Sequence, residues 1–526
     1  GLAGLGSAGC RPQASPASTG APRAAAGRPD DPSSGSAAHG VSVSVKDHGA
    51  KGDGATDDRE AIQAAIGAVA AAGGGEVYLP PGTYVVSGAR HAFWALDVPG
   101  GVHLRGAGQD KTTLQQAPGA GPSVRLLHLS GAHITLEDLA LDGNKAAQTK
   151  NPQRHGIFTV HTEHLIVRRV AAHDFTGDGF YLYDGAADSQ FIDVVATGND
   201  RNGLTLGGNV DGTTLFHSKF AGNRAQQVDS EPGGTSIVSH TLIAGCEIDV
   251  AGASNDYALT VSGTEHTKGH DWTIVGNRIH GGIFVVWAER VLIAGNTGTN
   301  PTTKASVSVY RTSNDVVIAG NRFEMTQTRV RSLAGVLVQG TGTGSAPDRV
   351  FVLGNELTLD YEQSFGIRAE GAISVTLRGN TLRGPGRSAP GYAGIYVRAT
   401  NQAEDFRSAS VVGNTVRNFG ARGVSLVGTG TAKLLSVEIR DNTFDDDAPV
   451  PAMTSGISLD DGTGAARQVR VTGNRFLHGV TAPLINYPAD RQAVTSDAPP
   501  SAPAPPSPTS APSPTPASPS PPPPSR

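Results

Sequence analysis

An asparagine recurs along the chain in one fixed local setting, and this recurrence constrains the fold more than any other feature. The segment VVIAGNRFEM (316–325) aligns with WTIVGNRIHG, VLIAGNTGTN, VFVLGNELTL, VTLRGNTLRG, SVVGNTVRNF, VEIRDNTFDD and VRVTGNRFLH. The common unit is apolar-x-apolar-x-Gly-Asn-x-apolar. Its asparagines are Asn199, Asn223, Asn277, Asn296, Asn321, Asn355, Asn380, Asn414, Asn442 and Asn474, with Cys246 in the equivalent place in LIAGCEI and Asp174 in VAAHDF. Neighbouring members lie 19 to 34 residues apart. A constant corner with connections of variable length marks a solenoid, because insertions fall on one rim and leave the stacking surface intact.

The unit reads directly as one coil. Alternation before each Asn turns one row of Val, Ile and Leu inward. Asn tolerates the left-handed backbone of a sharp corner, and its amide can bond the Asn of the next coil, about 4.8 Å away. A short strand, a variable loop and a further strand (GVLVQG, FGIRAE, AGIYVR, RGVSLV, SGISLD) complete each repeat. These units are too short for propeller blades and lack the Leu spacing of leucine-rich repeats. The expected fold is all-β, a right-handed parallel β-helix. Thr56-Asp57-Asp58 followed by REAIQAAIGAVAAAGGG predicts an N-terminal capping helix, begun by a side-chain cap and ended by glycine.

Three zones divide the chain. Residues 1–40 read as a signal remnant and disordered linker, 41–490 as the patterned domain, and 491–526 as a Pro/Ser-rich disordered tail. The first ten residues end in Ser7-Ala8-Gly9-Cys10, a lipobox-like run, so export and a lipid anchor at Cys10 are expected, on the cell envelope or secreted. A net charge of −5 gives no basic footprint for nucleic acid. Two cysteines, Cys10 and Cys246, build no disulfide framework, and Cys246 is expected to be buried and unreactive. A monomer is expected.

The segment VSVSVKDHGAKGDGATDDREAIQAAIGAVAAAGGGEVYLPPGTYVVSG (41–88), followed by LRGAGQDKTTL (104–114), resembles the N-terminal signature of the pectate-lyase-like superfamily, which includes rhamnogalacturonase and epimerase-like β-helix proteins. The coil repeats extend the resemblance over roughly 41–485. It implies a carbohydrate-active β-helix of lyase, hydrolase or epimerase type, with a groove along the sheet formed by the strands that follow the variable loops. The Gly-His-Gly and Arg-x-Lys of polygalacturonase-like hydrolases are missing, as is the Asp-Pro-His of mannuronan epimerases. No family catalytic set therefore carries over, and the site is argued from these residues.

Strands early in the domain gather the chemistry. Alternation turns Phe180, Leu182, Leu204, Leu206, Val228 and Ser230 inward, and Tyr181, Tyr183, Thr205, Asp229 and Glu231 outward. Two carboxylates at i and i+2 on one face lie about 6.5–7 Å apart at their backbones, within reach of one glycosidic bond, and their repulsion favours a proton on one of them. Asp229 and Glu231 are the expected acid and base, with Asp178 or Asp184 completing a pair or holding Ca²⁺. Arg154, His155 and Arg201 begin strands on the same rim and suit a uronate carboxylate or a base for β-elimination. Asn202, Asp256, Tyr257 and Trp287, with Tyr181 and Tyr183, extend the expected polysaccharide-binding surface. Hydrolysis is placed first, lyase chemistry on a uronic-acid polymer second, and a non-catalytic glycan-binding or adhesive solenoid third.

Overall fold

The computed structural model describes residues 40–88, 93–120, 125–326, 333–342, 344–386, 392–400, 405–428, 432–460, 466–485 and 494–496. The expectations for Cys10, the leader and the Pro/Ser-rich run from 497 lie outside these residues.

The alternating apolar rows of the repeat build an all-β parallel solenoid of about 14 turns. Strands before each Asn stack into one sheet, the short strands after it into a second, and the strands after the variable loops into a third, which we call the groove sheet. In the groove sheet Phe180 pairs with Leu204 and Leu204 with Val228. The same inward row continues through Leu259, Ile283, Val307, Val336, Ile367 and Ile395. These side chains are sealed from solvent. Each such burial contributes about 1.5–3 kcal/mol, which fixes the register of the outward row as firmly as that of the inward one.

The asparagines form the expected ladder. Asn277 donates through Nδ2 to Asn296 Oδ1 at 2.9 Å, and the same bond repeats from Asn296 to Asn321 and from Asn321 to Asn355. It continues through Asn380, Asn414, Asn442 and Asn474 at 2.9–3.0 Å. The left-handed corner, however, does not belong to Asn. The residue before it takes that conformation: Gly198, Gly222, Gly276, Gly295 and Gly320 have φ of 60–65°. Glycine adopts this φ without strain, which leaves Asn free to spend its amide on the ladder. Asp174 takes the same conformation at φ 56°, so it matches the glycine position, and Phe175 occupies the Asn place with its N–H donating to Asn199 Oδ1 at 3.0 Å.

Cys246 is buried and its thiol is pushed up to about 11 by burial. It has no amide to offer Asn223, and Gln227 Oε1 accepts from Asn223 Nδ2 instead, at 2.8 Å. Helix Arg59–Ala71 buries Ile62, Ala65, Ile66 and Val69 in the core cluster beside the first strands. Asp58 stands at its N-cap position without capping it: its carboxylate accepts the N–H groups of Lys51 and Gly52 and pins the preceding loop. Asp57 accepts from Arg59 N at 3.2 Å. At the other end Val494–Ser496 pairs with Ala466–Thr472, so sheet pairing passes the boundary drawn at residue 490.

Candidate functional site

The outward row of the groove sheet runs Asp97, His128, Phe158, Tyr181, Thr205, Asp229, one residue per coil. Glu231 lies two residues along the same strand, paired in register with Gly207. A side chain at Gly207 would meet the Tyr181 ring at 2.6 Å, so glycine there lets the tyrosine lie across the next coil toward the acids.

Arg201 ties three coils together. Its Nη1 donates to Asp178 Oδ2 at 2.7 Å and its Nη2 to Glu231 Oε2, while its guanidinium lies 5.8 Å from the Tyr181 ring centre. The two carboxylates hold Arg201 above its ordinary value against the pull of burial. Asp178 is fully buried and takes a further bond from Asn202 N at 2.8 Å. Asn202 Nδ2 donates to Thr205 Oγ1 at 3.0 Å and to Asp229 Oδ2 at 3.3 Å, and Asn202 Oδ1 accepts from Gln226 N at 2.9 Å. Asn202 is thereby fixed with its amide aimed at Asp229.

Asp229 is 5 % exposed. Burial raises its carboxyl well above the usual range, and the neighbouring Glu231, with which it shares a hydrogen bond, raises it further. Arg201 opposes these effects without overcoming them. Of the pair, Asp229 is the member that burial and a neighbouring carboxylate push toward the neutral form, while Glu231 is ion-paired to Arg201. The Tyr181 phenol is pushed up to about 12 by burial and by Glu231.

Several expected site residues have other work. His155 is sealed from solvent; Asp178 N donates to its Nδ1 at 3.1 Å, and its Nε2 is buried with no hydrogen-bond partner. Burial lowers its pKa, Asp178 opposing. It touches the Tyr181 ring (4.7 Å between centroids) and so positions the Asp178–Tyr181 segment, out of reach of substrate and unable to serve as an external base. Arg154 is 2 % exposed and donates to Gln148, which removes it from the groove surface. Arg201 is ion-paired to both Asp178 and Glu231. Asp184 lies just past its strand, over Gly208, and accepts from Asn209 Nδ2 at 3.2 Å. Asp178 and Asp184 therefore form no joint Ca²⁺ site: the Asp178 oxygens are already taken by Arg201 and the backbone. Asp256 accepts from Thr303 N at 3.1 Å and holds a loop. Tyr257 stacks on Phe284 at 4.7 Å, and Trp287 lies under Arg311 at 4.6 Å, each outside the acid cluster.

Tyr181 and Tyr183 do sit in the cluster, 5.7 Å apart between ring centres, with Tyr183 40 % exposed. Both pack on Phe158, at 5.6 and 5.8 Å. The outward row then continues to His128, which stacks on Trp94 at 4.1 Å and contacts Asp97 through Nδ1 at 2.7 Å. The sequence reading missed Phe158, His128 and Trp94. The alternation of GIFTVH marks Phe158 as outward, so that signal was present; Trp94 and His128 belong to coils that precede the Asn repeat.

Residues 42–151 match the rhamnogalacturonase A/epimerase, pectate lyase-like family, and the parallel β-helix fits the pectate-lyase-like superfamily. Among curated proteins the chain is similar to mannuronan C5-epimerase AlgE6 of Azotobacter vinelandii, 33% identical over 197 residues, covering 35% of this chain and 22% of that protein. Alginate lyase 7 of the same organism is 33% identical over 177 residues, covering 31% of this chain and 20% of that protein. The chain thus spans about a fifth of the length of these relatives. Among solved structures, the tailspike protein of E. coli bacteriophage HK620, in complex with a pentasaccharide, shares the fold at a TM-score of 0.50 and 12% identity, over 83% of this chain and 78% of that one.

Proposed function

We propose that this chain is a polysaccharide-modifying enzyme acting on a uronic-acid polymer by removing the proton beside the sugar carboxylate, with β-elimination as the outcome. One observation carries the reading: Asp229, nearly buried, lies between the Asn202 amide and the Arg201–Glu231 ion pair, surroundings that push its carboxyl toward the neutral form. A charged carboxylate there would repel an anionic sugar, whereas a neutral carboxyl donates a hydrogen bond to it. Asp229, oriented by the Asn202 amide, then binds the sugar carboxylate and draws charge from it, which acidifies the C5 hydrogen. Glu231 accepts that proton, the electron pair forms the C4–C5 double bond, the C4–O bond breaks, and Tyr181 protonates the departing oxygen. The relatives named as mannuronan epimerases and alginate lyase support this class of substrate. They lend no support to the expectation that hydrolysis comes first. Loss of the epimerase Asp-Pro-His motif favours elimination over inversion at C5.

Hydrolysis stays as the second reading because two carboxyls at i and i+2 that share a proton also suit an acid and a base at one glycosidic bond. Polyuronates and neutral glycans incubated with the protein and analysed by mass spectrometry separate the two. Unsaturated products without added water are expected; products with added water establish hydrolysis, and unchanged mass with inverted C5 establishes epimerisation. Retention on intact polymer without turnover would replace all three with a binding module. Glu231→Gln is expected to lower turnover about a hundred- to ten-thousand-fold. Asp229→Asn, which keeps a neutral donor, stays within about tenfold if Asp229 binds a carboxylate, and is as damaging as Glu231→Gln if Asp229 is a glycosidase acid.

A further inference from the structure

The outward row that carries Asp229 continues through Thr260, Phe284, Ser308 and Leu337 to Arg368. Beside it, the row of Glu231 passes Ser262, Val286, Tyr310 and Gln339 to Glu370 and then Arg398. Between the acid pair and Arg368 neither row holds a charged side chain. At the far end charge returns as a second built cluster. Glu370 is 5 % exposed and lies between two guanidiniums, Arg368 Nη2 at 2.8 Å and Arg398 Nη1 at 3.7 Å. Arg368 also lies 5.4 Å from the Phe365 ring, which packs on Tyr396 of the next coil at 4.8 Å.

Of the two arginines, Arg398 is the more loosely held by Glu370, at 3.7 Å, and its charge does not titrate away near neutral pH. The cluster is also incompletely satisfied: Glu370 Oε1 and Arg398 Nε are buried without a hydrogen-bond partner. Glu370 Oε1 can only accept and offers nothing to an anion, so the arginines are the groups here that a carboxylate can use. The Arg398 side chain, on the outward row, is 36 % exposed; a guanidinium's planar donors match a carboxylate, and the neighbouring rings suit the apolar faces of a sugar. Five coil steps separate Asp229 from Arg368, about 24 Å.

We infer that Arg368 and Arg398, braced by Glu370, form a second, non-catalytic subsite for the carboxylates of a uronic-acid chain, about 24 Å along the groove from the acid pair. The inference rests on the uronate reading above. A chain long enough to touch both clusters gains the second contact intramolecularly, and a short one does not.

Calorimetric titration of the Glu231→Gln protein, which preserves the ligand, with a short oligouronate and with one longer than the separation of the clusters tests this. The longer chain is expected to bind at least about tenfold tighter, and Arg368→Gln/Arg398→Gln to erase that advantage while leaving the short oligomer's affinity unchanged. Arg398→Gln alone keeps Glu370 paired and gives the same direction of change if the double variant does not fold. Equal affinity for both lengths, or an advantage that survives the substitutions, overturns the second subsite and leaves the uronate reading standing. No binding of either oligouronate overturns both.

Discussion

Asp229 links the chemistry of the site to a measurable cost in stability. Its pKa in the folded chain lies well above the ordinary carboxylate value of 3.8. Between those two values the folded chain holds a proton that the unfolded chain releases, so stability falls as pH rises through that window and the loss is complete above it. Asp229→Asn removes the titration, so the variant is expected to gain on the parent as pH rises above the ordinary carboxylate range, with little difference below it. Urea unfolding across pH measures this, and a difference that does not change with pH would mean that Asp229 is charged in the fold. Alternation alone identified Asp229, Glu231 and Tyr181 as outward, because a strand with a buried face fixes its other face too. It could not show that His155 and Arg154 are buried. They precede the strand, where no period applies, and His155 is covered by Tyr181 from the next coil.

At the scale of the coil, the ladder and the corner are separate devices that the sequence runs together as Gly-Asn. Both residues tolerate a left-handed φ, so spacing cannot say which one uses it; the structure gives the turn to Gly and the hydrogen bonds to Asn. The same ambiguity misplaced Asp174, since a polar residue looks like the ladder member while Phe175 looks like core. Asn355 shows what the amide contributes. It accepts from Asn321 N and Nδ2 at 3.0 and 2.9 Å, and donates to Ile318 O and Asn380 Oδ1 at 2.8 and 3.0 Å. Asn355→Ala leaves these buried groups unpaired and is expected to cost about 3 kcal/mol or more. Cys246→Ala, at a corner where Gln227 already supplies the missing acceptor, is expected to cost about 1 kcal/mol. Similar losses at the two corners would mean that packing, and not the amide ladder, sets coil stability.

Across the whole molecule, coils bond mainly to neighbouring coils, so stability is close to a sum of local terms and junctions and need not be uniform along the stack. The amide ladder is continuous from Asn277 to Asn474 but is interrupted between Asn223 and Asn277, where Cys246 contributes only its backbone N–H, to Asn277 Oδ1 at 2.8 Å. That seam falls between the acid pair and the distal arginine cluster. The coils before Cys246 and those after Asn277 are therefore expected to open as separate cooperative units. In hydrogen exchange under mild denaturant, Asn355→Ala should accelerate exchange in 277–474 while 157–244 stays nearly as protected as in the parent. Equal acceleration on both sides would make the solenoid one unit and the seam irrelevant. A bound oligouronate long enough to reach both clusters adds contacts on either side of the seam, so it should slow opening of both blocks together, whereas a short one should protect 157–244 alone. The length of ligand needed to couple the two blocks then measures, independently of affinity, how far along the groove the chain is held.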